Sequence, residues 1–256
     1  MAESNRMVRL LRDPAYREHV RQVTKLFRKY PKGFWYKGAA LVVNQTNRVT
    51  RNLNLPPRVY CPVCDWRGSA FDAIATFGYW RRNARCPQCG ALERHRAMIV
   101  ELERRDLIHR GTRCLDVGGI SAFERYFRAR AIRYTSLSLG DPANVCMDVQ
   151  TLGFPNQCFD LILDSHVLEY VSDVGLAIRE LTRVLRDDGA LLLTENYAFG
   201  RAATRELAPT AKTMYMVRQF GDDLMQFLRD GGLQVTRFDY TGRNDAGGDY
   251  FFLCHK

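Results

Sequence analysis

The chain has 256 residues, 46% of them hydrophobic and 26% charged, enough for a full globular core with a smaller module beside it. Its formal net charge is +10, and no apolar run approaches the roughly 20 residues of a membrane-spanning helix. The opening "MAESNRMVRL" lacks the apolar stretch of a secretory signal, so the expected compartment is a reducing cytoplasm, where thiols persist as thiols or metal ligands.

The charge is uneven. Residues 1–60 hold thirteen Lys and Arg against three Asp and Glu, while residues 61–256 hold 25 of each. Residues 1–58 therefore read as a basic arm of helical character. Two readings stay open. One is a solvated arm; the other is an electrostatic footprint for nucleic acid, an anionic membrane surface or a polyanionic substrate. Residues 29–43, "KYPKGFWYKGAALVV", mix Lys with Phe34, Trp35 and Tyr36, a composition that suits an interfacial helix and peripheral membrane association.

Next come Cys61, Cys64, Cys86 and Cys89, as C-x2-C-x21-C-x2-C. Each pair fits a tight knuckle that aims two sulfurs at one point, and Pro62 and Pro87 occupy the same place in each. Four soft ligands suit tetrahedral zinc, so residues 59–92 are expected to form a ribbon around a structural Zn2+. Such a site has no open coordination position and does no chemistry itself. Cys114, Cys146, Cys158 and Cys254 are scattered and read as small core residues. Residues 93–110 should form a connecting helix, with Met98, Ile99 and Leu102 on its apolar side. His95 on it is expected at the helix surface or beside the metal ligands.

From residue 111 strands and helices alternate. "TRCLDVGG", "RYTSLSL", "ANVCMDV", "CFDLILDS" and "ALLLTENY" read as strands. "SAFERYFRARA", "DVGLAIRELTRVLRDDG" and "FGDDLMQFLRDGG" read as helices, the second ending at a Gly189 cap. "LQVTRFDY" and "DYFFLCHK" close the chain as an antiparallel pair, because the segment between them is too short for a helical crossover. This alternation predicts a mostly parallel α/β sheet with helices on both faces.

The run "CLDVGG…MDVQTLGFPNQCFDLILDSHVLEYVSDVGLAIRELTRVLRDDGALLLTE" resembles a class I S-adenosylmethionine-dependent methyltransferase. With its two CPxC knuckles followed by "GALERHR", the whole chain resembles a bacterial subgroup with an N-terminal zinc ribbon. The resemblance covers residues 111–256 and implies a Rossmann-like seven-stranded sheet, its last strand antiparallel beside the fifth. It implies that Asp116, Gly118 and Gly119 hold the methionine part of S-adenosylmethionine. Asp148 would bind the adenine amino group, with Val149 beside it. Ser138 stands where the family has an acid for the ribose, and Asp141 follows three residues later. Asp164, Ser165 and His166 would line the reactive end.

A hydroxyl or amine acceptor must lose a proton, so a base is expected near the methyl group. The candidates are His166 and Glu195, with Asn196 and Tyr197 positioning the acceptor. Glu169 is expected to pair with the helix that follows it. Residues 198–220 read as an acceptor lid, and its Arg201, Arg205, Lys212 and Arg218 fit either an anionic or polar acceptor or an ordinary solvated surface. The expected activity is methyl transfer to a glycan or small metabolite. Two alternatives are an RNA methyltransferase, disfavoured by the neutral residues 61–256, and a binding or scaffold protein that keeps the fold without turnover.

Overall fold

A computed structural model describes residues 31–51, 56–75, 80–139, 143–210, 215–239 and 250–256. Most of the basic arm, Asp141 and Lys212 lie outside them. The chain divides into two compact units. One runs to Val59 and includes Gly68–Arg85; the other comprises Tyr60–Arg67 and Cys86–Lys256. The stretch 59–92, expected as one ribbon, is thus shared between them, with both Cys-x-x-Cys knuckles in the larger unit.

The smaller unit contains helix α1 (Pro31–Arg51) and the hairpin β3 (Asp72–Ala75) and β4 (Trp80–Arg85). Polar side chains dock the helix. Asn44 Nδ2 donates to Ala73 O at 3.0 Å, and Asn44 Oδ1 accepts from Ala73 N at 2.6 Å. Asn47 Nδ2 donates to Phe71 O at 3.0 Å, and Thr50 Oγ1 lies 3.3 Å from Ser69 Oγ. Spaced three apart, these residues share one helix face, and the two asparagines satisfy backbone groups of β3 and of the residue before it.

Short strands β1 (Val59–Tyr60) and β2 (Arg67–Gly68), each divided between the two units, flank the first knuckle, and in the larger unit α2 (Glu93–Arg104) follows the second. Its buried residues include Met98, Ile99 and Leu102, as the sequence periodicity predicts. The main sheet contains β5 (Arg113–Val117), β6 (Arg133–Ser138), β7 (Val145–Cys146), β8 (Phe159–Ser165), β9 (Leu185–Thr194), β12 (Gln234–Asp239) and β13 (Tyr250–His255). The minor strands β10 (Arg205–Glu206) and β11 (Arg218–Gln219) pair with each other. The order in the main sheet is β12-β13-β9-β8-β5-β6-β7. Strands β5 to β9 are parallel, and β13 inserts antiparallel between β9 and β12. This is the Rossmann-like arrangement of class I methyltransferases.

The helices of this unit are α3 (Ser121–Ala129), α4 (Val174–Val184) and α5 (Leu224–Asp230). Helix α4 shows why the local sequence folds as it does. Asp173 caps it, its Oδ1 accepting the Leu176 N–H at 2.8 Å. Ala177, Ile178, Leu181 and Val184 form one buried stripe against the sheet. The helix ends at Val184, and Gly189 lies inside β9 rather than at a cap. A Cβ there would stand 2.7 Å from Leu185 Cδ1 and 3.0 Å from Asp160 O, so close strand packing is what requires glycine. Cys114 and Cys254 are core residues, but Cys146 is exposed and Cys158 half-buried.

Candidate active site

Strands β5, β6 and β8 all end on one edge, and β5 has its sequential neighbour β6 on one side and β8 on the other. Ligands of open α/β sheets bind at such a reversal, beyond the carboxyl ends of the strands. A cavity of about 390 Å³ opens there, lined by residues that include Gly118, Ser138, Asp148, Val149 and His166. Its size is that of a small-molecule site. Gly118 has φ +104°, and a Cβ on it would stand 2.9 Å from Val167 Cγ2. Only glycine gives this loop both its conformation and its close approach.

Asp116 is fully buried within β5 and shapes that loop without lining the cavity. Its Oδ2 accepts the Ile120 N–H at 2.7 Å and the Tyr134 hydroxyl. Burial pushes its carboxyl up to about 6, against the pull of those two bonds. Gly119, at φ +67°, continues the turn and is also outside the lining. At the far rim Asp148 Oδ1 accepts the Gln150 N–H at 2.8 Å. Gln150 Oε1 in turn accepts from Ser172 Oγ and Asp173 N, each at 2.8 Å. The expected adenine-side acid is thereby tied to the wall that follows β8.

That wall begins at His166, which has φ +63° and donates its N–H to Thr194 O at 2.8 Å. Its Nδ1 lies 3.1 Å from Glu169 Oε1. Glu169 is 2% exposed, and its Oε2 accepts the Asn196 N–H at 2.6 Å. It therefore faces His166 and the end of β9, not the following helix.

Glu195 is buried outside the cavity lining. Its Oε1 accepts the N–H groups of Val167 and Leu168 at 3.4 and 3.3 Å, and its Oε2 accepts that of Glu169 at 3.3 Å. Burial and then Asp164 push its carboxyl well above the usual range. Burial likewise lifts Asp164 to about 7. Burial is the larger cause for both, and the Asp164 charge adds to it at Glu195.

Ser165 accepts a bond from Arg94 Nε at 3.1 Å and lies outside the lining. Arg218, expected as a lid cation for the acceptor, is instead buried. Its guanidinium donates to Leu168 O at 2.9 Å, Val171 O at 2.5 Å and Ser172 O at 3.3 Å. The inserted segment thus fastens the cavity wall.

The four expected thiols converge. Their sulfurs all lie within 4.8 Å of one another, with Cys61–Cys89 and Cys64–Cys86 both at 3.7 Å. Sulfurs at tetrahedron corners 2.3 Å from a zinc ion would stand about 3.8 Å apart, so this donor set could hold one. Packed this closely, they could not all be thiolates without a cation. Cys61 is pushed up, chiefly by its bond to Cys86, while bonds from Cys61 and Cys89 pull Cys86 down.

Helix α2 connects this cluster to the sheet. Arg96 donates to Ala91 O at 2.9 Å, within the electrostatic reach of Cys61, Cys86 and Cys89. His95 is buried, not at the surface; its Nδ1 accepts the Leu92 N–H at 3.3 Å, and its ring packs edge-on to Phe123. Burial, then Arg94, holds His95 well below the ordinary histidine range, which keeps Nδ1 an acceptor.

Residues 121–193 match the family described as a methyltransferase domain. The chain is 43% identical over 49 residues to the uncharacterised methyltransferase YcgJ of Bacillus subtilis strain 168, covering 19% of each chain. It thus spans about a fifth of that relative's length. Among solved structures, the cyclase SpnF aligns with a TM-score of 0.53 at 18% identity, over 65% of this chain and 83% of that one. The 1,6-didemethyltoxoflavin-N1-methyltransferase of Burkholderia thailandensis, solved with 1,6-didemethyltoxoflavin and S-adenosylhomocysteine, aligns with a TM-score of 0.51 at 20% identity. That match covers 62% of this chain and 75% of the other. At these identities both likenesses are of fold.

Proposed function

We propose that this chain, whose residues 121–193 match a methyltransferase domain, is a class I S-adenosylmethionine-dependent methyltransferase that transfers a methyl group to a hydroxyl or amine of a glycan or small metabolite. The observation that carries the reading is the placement of His166 on the cavity wall with Glu169 buried behind it. The cavity suits the cofactor by its size and by Gly118 and Asp148 in its lining. When bound there, S-adenosylmethionine supplies an electrophilic methyl group. Asp148 would accept a hydrogen bond from the adenine amino group, Val149 would supply a backbone contact beside it, Ser138 would meet the ribose, and Gly118 would lie against the methionine portion.

His166 takes the acceptor's proton. With Nδ1–H donated to Glu169, Nε2 carries the free lone pair, and the Glu169 carboxylate stabilises the charge that appears on the ring as the proton arrives. Glu195 acts one step back. By accepting the N–H groups of residues 167–169 it fixes the turn that carries both partners. Cys61, Cys64, Cys86 and Cys89 hold a structural zinc ion that anchors the start of α2.

The test is a radiolabelled-methyl assay of the purified protein against panels of glycans, small hydroxylated and amine metabolites, and RNA. Label in a small acceptor, lost in His166→Asn, supports the reading. Label in RNA alone overturns the acceptor class. Cofactor binding with no transfer to any panel favours the scaffold reading, to which Ser138 in place of a ribose-binding acid would lend weight.

A further inference from the structure

We propose that the outward face of α1 is a docking surface for an anionic lipid membrane. A surface helix normally turns its apolar stripe inward and its polar residues to water. Helix α1 departs from this: Ala40 is buried, yet polar side chains dock the helix and large apolar ones face water. Asn44, Asn47 and Thr50 point inward onto the β3 hairpin and its approach. Trp35, Leu41, Val42 and Val49 point outward and are 77%, 61%, 65% and 60% exposed. Trp35, Val42 and Val49 follow a seven-residue spacing, two turns apart each time, so they form one stripe along the helix.

Charge selects the occupant. The helix sequence has no Asp or Glu, and it carries Lys32, Lys37, Arg48 and Arg51. Residues 1–60 as a whole are +10, and β4 of the same unit adds the exposed Arg82 and Arg85. A second copy would bring a like charge against this surface. A nucleic acid would be held by the cations and would leave Leu41, Val42 and Val49 in water. A membrane interface answers both features, because anionic headgroups attract the cations while Trp and aliphatic side chains sink to headgroup depth. The inference is independent of the methyl-transfer reading.

The test is co-sedimentation of the full chain with vesicles of phosphatidylcholine containing 30% phosphatidylserine, and with pure phosphatidylcholine. The expected result is at least tenfold tighter binding to the anionic vesicles, weakening as salt rises. V42D/V49D should lose at least tenfold and Trp35→Ala severalfold, each with native circular dichroism and an unchanged elution volume. Both variants are needed, so that misfolding of one leaves the other as the test. Four results would overturn the proposal: no sedimentation, equal sedimentation with both vesicles, variants that bind as the native chain does, or a native dimer that V42D/V49D converts to monomer without vesicle binding.

Discussion

His166 Nδ1 stands 3.1 Å from Glu169 Oε1, and the same carboxylate takes the Asn196 N–H at 2.6 Å through its other oxygen. One buried acid thus orients the imidazole and joins the wall after β8 to the end of β9. His166→Asn should lower turnover by about 10²-fold or more, the usual scale for a positioned base. Glu169→Gln should lower it less and leave S-adenosylhomocysteine affinity within about twofold. Steady-state kinetics with the acceptor found by the labelled-methyl screen, beside calorimetry, separates these effects. Equal loss of cofactor affinity and turnover in both variants would mean that the pair only supports the cavity.

Stability should depend on pH through Asp164. Its ordinary value of 3.8 is raised by burial to about 7, so between these values the folded chain keeps a proton that the unfolded chain releases. Its contribution is therefore complete below about pH 4 and is lost as pH rises through 7. The span corresponds to at most about 4 kcal/mol. Asp164→Asn should flatten the decline in urea-unfolding free energy between about pH 4 and 7. An unchanged slope would show that the proton resides elsewhere in the cluster.

The thiol cluster predicts about one zinc ion per chain by elemental analysis. Cys61→Ser and Cys89→Ser should each lose the metal and fold poorly, because α2 begins only a few residues after the second knuckle. Full metal occupancy in either variant, or none in the native chain, contradicts the assignment.

Arg218→Ala should destabilise the chain by about 2–4 kcal/mol, since it strips a charged donor from three carbonyls of the cavity wall. The same change should weaken S-adenosylhomocysteine binding, although Arg218 is absent from the cavity lining. Chemical denaturation and calorimetry measure the two effects. A stability loss with unaltered affinity would show that the inserted segment and the cavity are independent.

Much of the fold is legible in the sequence because the relevant signals are local. Asp173 before an apolar stripe marks α4, and the Cys-x-x-Cys spacing marks the two knuckles. The apolar run of β8 marks a strand buried on both faces. The order β12-β13-β9 comes from the family resemblance, not from alternation. What stays hidden depends on distant backbone. Glu195 at a strand end reads alike whether it faces a ligand or three N–H groups 26 to 28 residues away. Arg218 reads as a lid cation because its carbonyl partners lie 46 to 50 residues earlier. Helix α1 docks by amides onto backbone groups, so hydrophobic periodicity does not predict its inward face.

Calorimetric titration with S-adenosylhomocysteine tests the central claim most directly. The native chain should bind one equivalent. Asp148→Ala should lose about 1.5–3 kcal/mol, the scale of a charged hydrogen bond, and Ser138→Asp should bind as well as the native chain or better. Saturable binding that Asp148→Ala weakens is the predicted result. No binding by either the native chain or Ser138→Asp would contradict a cofactor-dependent methyltransferase.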